Sequence, residues 1–162
     1  MIAHVRIEPL TVAAFAPYGD VLEAVGAPDR IINEGSCERF HDRARLDFGP
    51  DGRAGLSVFH AMPRSLPLTL ELVERHPEGS QAFVPMSADP FLVIVAMDEK
   101  GRPVNVRAFR TAPGQGINIL RNTWHGVLTP LAGPGRFTVI DRVGATPNLE
   151  EYRLAAPLVI RD

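Results

Sequence analysis

Glu74 and His76 stand two residues apart in Leu72-Val-Glu-Arg-His-Pro-Glu-Gly-Ser-Gln-Ala-Phe-Val-Pro-Met86. In an extended chain that spacing puts a carboxylate and an imidazole on one face. Such a pair can move protons near neutral pH or offer two ligands to a divalent cation. Alternation carried on from Leu68, Leu70 and Leu72 aims both side chains into a barrel interior, where ionisable groups are costly unless they have partners or a purpose. Pro77-Glu-Gly79 makes a turn, and Gln81 re-enters on the next strand. A second imidazole, His125, lies in Arg121-Asn-Thr-Trp-His-Gly126, after the Gly-rich stretch beginning at Gly114. Met across a barrel, His76 and His125 would bind a divalent metal. The structural alternative gives His76 a satisfied hydrogen bond at a strand end, buries Trp124 in the core and lets His125 cap a turn. Spacing alone leaves both readings open, because histidines distant in sequence are a weaker metal signal than a CxxC pair.

A third cluster, Asn33-Glu-Gly-Ser-Cys-Glu-Arg-Phe-His-Asp42, offers a guanidinium whose planar fork suits a carboxylate. By alternation Arg39, His41, Arg43 and Arg45 share one side, which reads as a solvated face. Arg121 and Arg142 are the other carboxylate-clamp candidates, and Asp141 with Arg142 reads as an ion pair at a strand end. Cys37 has no base beside it, and His4 and His60 lack a supporting constellation. The chain contains no GxSxG, P-loop, HExxH or GxGxxG motif.

Short strands must position these groups. Thr11 is an N-cap for a helix of about two turns at most that Pro17-Tyr-Gly19 stops. Period-2 patterning predicts strands over 40–48, 55–61 and 68–73, with further strands at 91–97, 104–110 and 137–142. Phe91 to Met97 is apolar on both faces, as in a strand buried between two sheets. With 14 Gly and 15 Pro spread along 162 residues, the expectation is an all-β jelly-roll barrel or β-sandwich with one or two short helices, residues 1–162 forming a single domain. A net charge of −2 gives no cationic field for nucleic acid or an anionic membrane. No apolar run is long enough to span a bilayer, and the opening residues lack a secretory block. One cysteine suits a reducing cytoplasm.

Four blocks resemble the ureidoglycolate lyase family of small cupins: Pro9 to Asp20; Ile32-Asn-Glu-Gly35 with Glu38-Arg-Phe-His-Asp42; Glu74 to Met86; and Arg121-Asn-Thr-Trp-His125 with Thr138-Val-Ile-Asp-Arg142. The resemblance implies cleavage of (S)-ureidoglycolate to glyoxylate and urea in allantoin and purine degradation. It implies His76, His125 and Glu74 as the catalytic groups, with His125 or His76 as the base and Glu74 orienting a histidine or acting as the acid. Asn33, Arg39, Gln81, Arg121, Asn122 and Trp124 would contact substrate. His76, Gln81 and His125 match the cupin metal motifs and would hold a divalent metal, nickel by family habit. The first motif is degenerate, with His76-Pro-Glu78 in place of His-x-His. Gly126 stands where the family often has a second histidine, and Ile119-Leu120 where it has Tyr-His, so no role passes to those positions. A homodimer acting on a small molecule is expected, with no nucleic acid or membrane partner. The rival readings are an amidohydrolase releasing ammonia from the same substrate and a non-catalytic cupin that binds a small carboxylate.

Overall fold

A computed structural model describes residues 3–162. In chain order the elements are β1 (Ala3–Pro9), α1 (Val12–Phe15), β2 (Gly19–Leu22), β3 (Arg30–Ile32), β4 (Cys37–Arg39), β5 (Arg53–His60), β6 (Leu68–Arg75) and β7 (Gln81–Pro85). They continue with β8 (Phe91–Glu99), β9 (Arg102–Arg110), β10 (Gly116–Ile119), β11 (Trp124–His125), β12 (Thr129–Pro130), β13 (Arg136–Val143) and β14 (Glu150–Arg161). The expected all-β architecture is present. A seven-stranded sheet runs β11-β6-β14-β1-β9-β8-β12, and β11 also pairs with β8. That second pairing closes β6, β14, β1, β9, β8 and β11 into a ring, removing the edges an open sheet would leave. A five-stranded antiparallel sheet, β2-β10-β7-β13-β5, lies against it.

Two cores follow from this arrangement. Leu68, Leu70, Val73, Leu92, Ile94, Ala96, Ala108, Trp124 and Ile160 fill the ring. Phe91, Val93 and Val95 pack outside it against Phe83, Ile117, Ile119, Phe137 and Val139 of the second sheet. Alternate residues of β8 thus serve different cores, so its apolar run is buried on both faces as its composition requires. Thr11 Oγ1 accepts the Ala14 N–H at 3.2 Å, and the short helix it caps drives the fully buried Phe15 into the outer core.

Two expectations are corrected. The segment 40–48 is irregular: only Cys37–Arg39 is extended, as a hairpin with Arg30–Ile32. Asp42 has φ 50°, and the N–H groups of His41, Arg45 and Asp47 donate to Asp29, Asp20 and Ser80 side chains at 2.8, 2.9 and 2.8 Å. Side-chain oxygens capture the donors that a strand ladder needs. The second correction concerns β6. Leu68 and Leu70 point into the ring, but so does Val73, so the alternation changes phase between them. Its partner β14 skips register there, with Leu70 opposite Leu158 and Leu72 opposite Arg153. Glu74 consequently leaves the leucine face and points out of the ring.

Candidate metal and acid–base site

The site forms where β6 ends, β7 begins and β11 bridges. His125 lies directly opposite Glu74 on β6 and opposite Val95 on β8. Directly paired residues share a face, so His125 and Glu74 emerge side by side outside the ring, while Trp124 points into it. Trp124 is buried against Tyr152, lies under the Arg75 guanidinium at 4.3 Å and donates its indole N–H to Asp98 at 2.9 Å. It serves the ring core and does not join the site, which corrects its expected place beside the substrate. Gly126 returns to the ring face, where an added Cβ would stand 3.1 Å from Ile94 Cβ.

His76 follows the last residue of β6. Its carbonyl accepts the N–H of Asn122 (2.9 Å), and its ring stands 5.2 Å, centroid to centroid, from that of His125. One ligand atom each from Glu74, His76 and His125 lies within 4.8 Å of the others. Hydrogen bonds orient both rings. His125 Nδ1 faces the Gly126 carbonyl at 2.9 Å and so carries the proton, which leaves the Nε2 lone pair free. That Nε2 is buried with no hydrogen-bond partner. Burial, helped by the charge of His76 and opposed by the Gly126 carbonyl, holds the His125 pKa down at about 4. His76 Nδ1 faces the Asn148 carbonyl at 2.7 Å, and its Nε2 faces Gln81 Oε1 at 3.1 Å. Burial pushes the Glu74 carboxyl up; His76 opposes this and Glu151 adds to it.

A buried, partnerless imidazole nitrogen, a second imidazole and an amide oxygen form a donor set that fits a borderline divalent cation such as nickel, with the Glu74 carboxylate beside it. The structure therefore brings together Glu74, His76, Gln81 and His125, with Asn122 tied to His76 through its backbone. Arg121 precedes Asn122 at the rim and is paired with Asp47 at 2.6 Å. Asn33 and Arg39 are not part of this cluster. They sit exposed on the β3–β4 hairpin, where Arg39 contacts His41 at 2.9 Å. Asp141 and Arg142 are not paired with each other. Alternation sends them to opposite faces, so Asp141 accepts from Gln81 Nε2 at 3.1 Å while Arg142 binds Glu78 at 3.2 Å and the Phe48 carbonyl at 3.0 Å. Sequence reasoning misses Asn148, since nothing local to Pro147-Asn-Leu149 signals contact with a residue so far back in the chain. A surface hollow of about 390 Å³ lined by Asp20, Glu23, Asp42 and Arg45 lies elsewhere, with Asp20 and Arg45 already joined.

Fold and cluster together define a cupin-like barrel with a cation-capable acid–base centre. The chain belongs to the ureidoglycolate lyase family, whose model matches residues 2–161, and is accordingly a lyase. It is 61% identical over 157 residues to the ureidoglycolate lyase of Rhodobacter capsulatus, covering 97% of this chain and 98% of the relative. Identity is 53% over 154 residues to that of Chelativorans sp., covering 94% and 93%. It is 51% over 152 residues to ureidoglycolate lyase 2 of Rhizobium meliloti, covering 93% of each chain. Among the described residues no helix is long and apolar enough to cross a membrane.

Proposed function

We propose that this chain cleaves (S)-ureidoglycolate to glyoxylate and urea, a carbon–nitrogen lyase step in allantoin and purine degradation. The observation that carries the reading is the convergence of Glu74, His76 and His125 within 4.8 Å at a half-buried position between the two sheets. The substrate is a carbinolamine. As its C–N bond breaks, the hydroxyl proton must leave while an aldehyde forms, and the departing urea nitrogen must gain a proton. No water is consumed, so one group that accepts and returns a proton satisfies both needs.

Glu74 is that group. Its carboxyl pKa is raised by burial, which brings the base nearer to working pH than a solvated carboxylate. It takes the hydroxyl proton and returns it to the leaving nitrogen. His76 Nε2, His125 Nε2 and Gln81 Oε1 would hold the divalent cation, nickel by family resemblance. When bound, that ion polarises a substrate oxygen and stabilises negative charge developing on it. The Gly126 and Asn148 carbonyls fix which ring nitrogens face the site. Arg121 is the nearest candidate in sequence to hold the substrate carboxylate, and the Asn122 side chain is assigned to the ureido group. Asn33 and Arg39 stay exposed on their hairpin. We further propose that it works as a homodimer in the cytoplasm.

Incubation with (S)-ureidoglycolate, before and after chelation and nickel return, tests the reading. Equal urea and glyoxylate without ammonia are expected, with activity lost on chelation and restored by nickel. Ammonia in place of urea would instead indicate the hydrolytic route. No turnover in any arm would leave a carboxylate-binding barrel.

A further inference from the structure

Gln81 opens β7 directly opposite Asp141 on β13, so the two side chains leave the sheet on the same face. An amide has two unlike ends, and which end faces His76 decides what can occupy the space between them. A carboxylate only accepts. Asp141 Oδ2, 3.1 Å from Gln81 Nε2, therefore claims the NH₂ end and leaves Oε1 turned to His76 Nε2 at 3.1 Å. On its far side the His76 ring is held by the Asn148 carbonyl at 2.7 Å, while the Asn148 side-chain oxygen accepts the Glu78 N–H at 2.7 Å. With Nδ1–H committed there, Nε2 and Gln81 Oε1 meet as two lone pairs. Two lone pairs at hydrogen-bond distance need a proton or a metal cation between them. The opposite amide orientation would put an N–H there and satisfy His76 Nε2 without any cation.

We propose that Asp141 is a positioning residue that acts through Gln81: it forces the amide oxygen toward His76 and so makes that position demand a cation. The inference rests on the lyase reading for its kinetic consequence, but the orientation itself is a property of this chain. Neither Asp141 nor its link to Gln81 is apparent in the sequence, where Asp141 reads as the partner of Arg142.

Two variants and two readouts test it. Asp141→Leu keeps a similar shape and removes the acceptor, freeing the amide to turn. The double variant Asp141→Asn with Gln81→Glu exchanges carboxylate and amide. An oxygen then faces His76 whichever way residue 81 lies, and the amide introduced at position 141 donates back to it. Nickel affinity, read by competition against a chelator, is expected to fall by about 10- to 100-fold in Asp141→Leu and to return in the double exchange. In nickel-loaded protein, Asp141→Leu is expected to lower kcat by about 10- to 100-fold, the usual cost of losing an outer-shell partner, with KM little changed. The double exchange should recover most of it. An unchanged nickel affinity in folded Asp141→Leu overturns the proposal, as does a double exchange that binds nickel no better than Asp141→Leu. Failure of wild type to release urea would sink the lyase reading alone, since nickel affinity still judges Asp141.

Discussion

His125 combines two properties that rarely coincide: its ring is almost wholly buried, and its inward nitrogen has no partner. Leaving a buried acceptor unpaired costs about 1–3 kcal/mol, a cost that a bound cation would offset. His125→Ala and His76→Ala are expected to lose stoichiometric nickel, measured by atomic absorption after dialysis. Retention of wild-type nickel by either variant would remove that residue from the ligand set. His125 also has a consequence for pH stability of the metal-free protein. In the fold it stays neutral down to about pH 4, whereas unfolded it titrates near 6.5. The unfolded chain binds more protons between those values, so stability falls as pH drops through that window, by up to about 3 kcal/mol. Urea denaturation midpoints across the window should show this slope, and His125→Asn should flatten it. Asp47, held below the usual carboxylate range by Arg121, has an unfolded pKa near 3.8 and so adds its loss only at still lower pH.

The turn between β6 and β7 connects His76 to Gln81 and is the element on which the site depends. Gly79 packs so closely beneath the 40–48 segment that an added Cβ would stand 2.9 Å from the Asp47 carbonyl and 3.0 Å from Arg142 Cβ. Gly79→Ala is therefore expected to destabilise the fold by about 1–3 kcal/mol. Chemical denaturation checks this, and an unchanged midpoint would show that the segment yields freely. Some elements are legible in the sequence and others are not. The apolar run of β8, the Thr11 cap and the strand over 137–142 announce themselves through local pattern. The alternation at 40–48 does not survive, because Asp20, Asp29 and Ser80 take its backbone donors from far along the chain. The face of Glu74 differs from its expected one because the phase change in β6 accompanies a register skip in its partner β14. Period-2 reasoning holds only while both strands of a pair stay in step.

At the scale of the whole molecule, β8 serves both cores, and the site sits where β6 and β11 of the ring meet β7 of the second sheet. Sequence patterning shows an all-β chain and singles out His76, Gln81, Glu74 and His125. It does not show that β11 closes a ring, yet that closure puts Glu74 and His125 side by side. Nor does it separate Trp124 from the site, because neighbouring strand residues look alike in a motif and point to opposite faces in the fold. Asn33 and Arg39 lie on an exposed hairpin remote from the cluster in hydrogen bonding, although they belong to the same family-like block as His41. If the protein is a homodimer as proposed, sedimentation equilibrium should give twice the monomer mass, and a monomer at micromolar concentration would refute that assembly.

In the proposed reaction Glu74 moves the proton, while His76, His125 and Gln81 would hold the cation. The decisive measurement is the rate of urea release by Glu74→Gln at saturating (S)-ureidoglycolate, with nickel content and thermal midpoint taken on the same sample. A kcat lower by about 10²- to 10⁴-fold is expected at unchanged nickel, the range a positioned acid–base group supplies. Turnover within a few-fold of wild type would contradict it, and the proton would have to travel through another group.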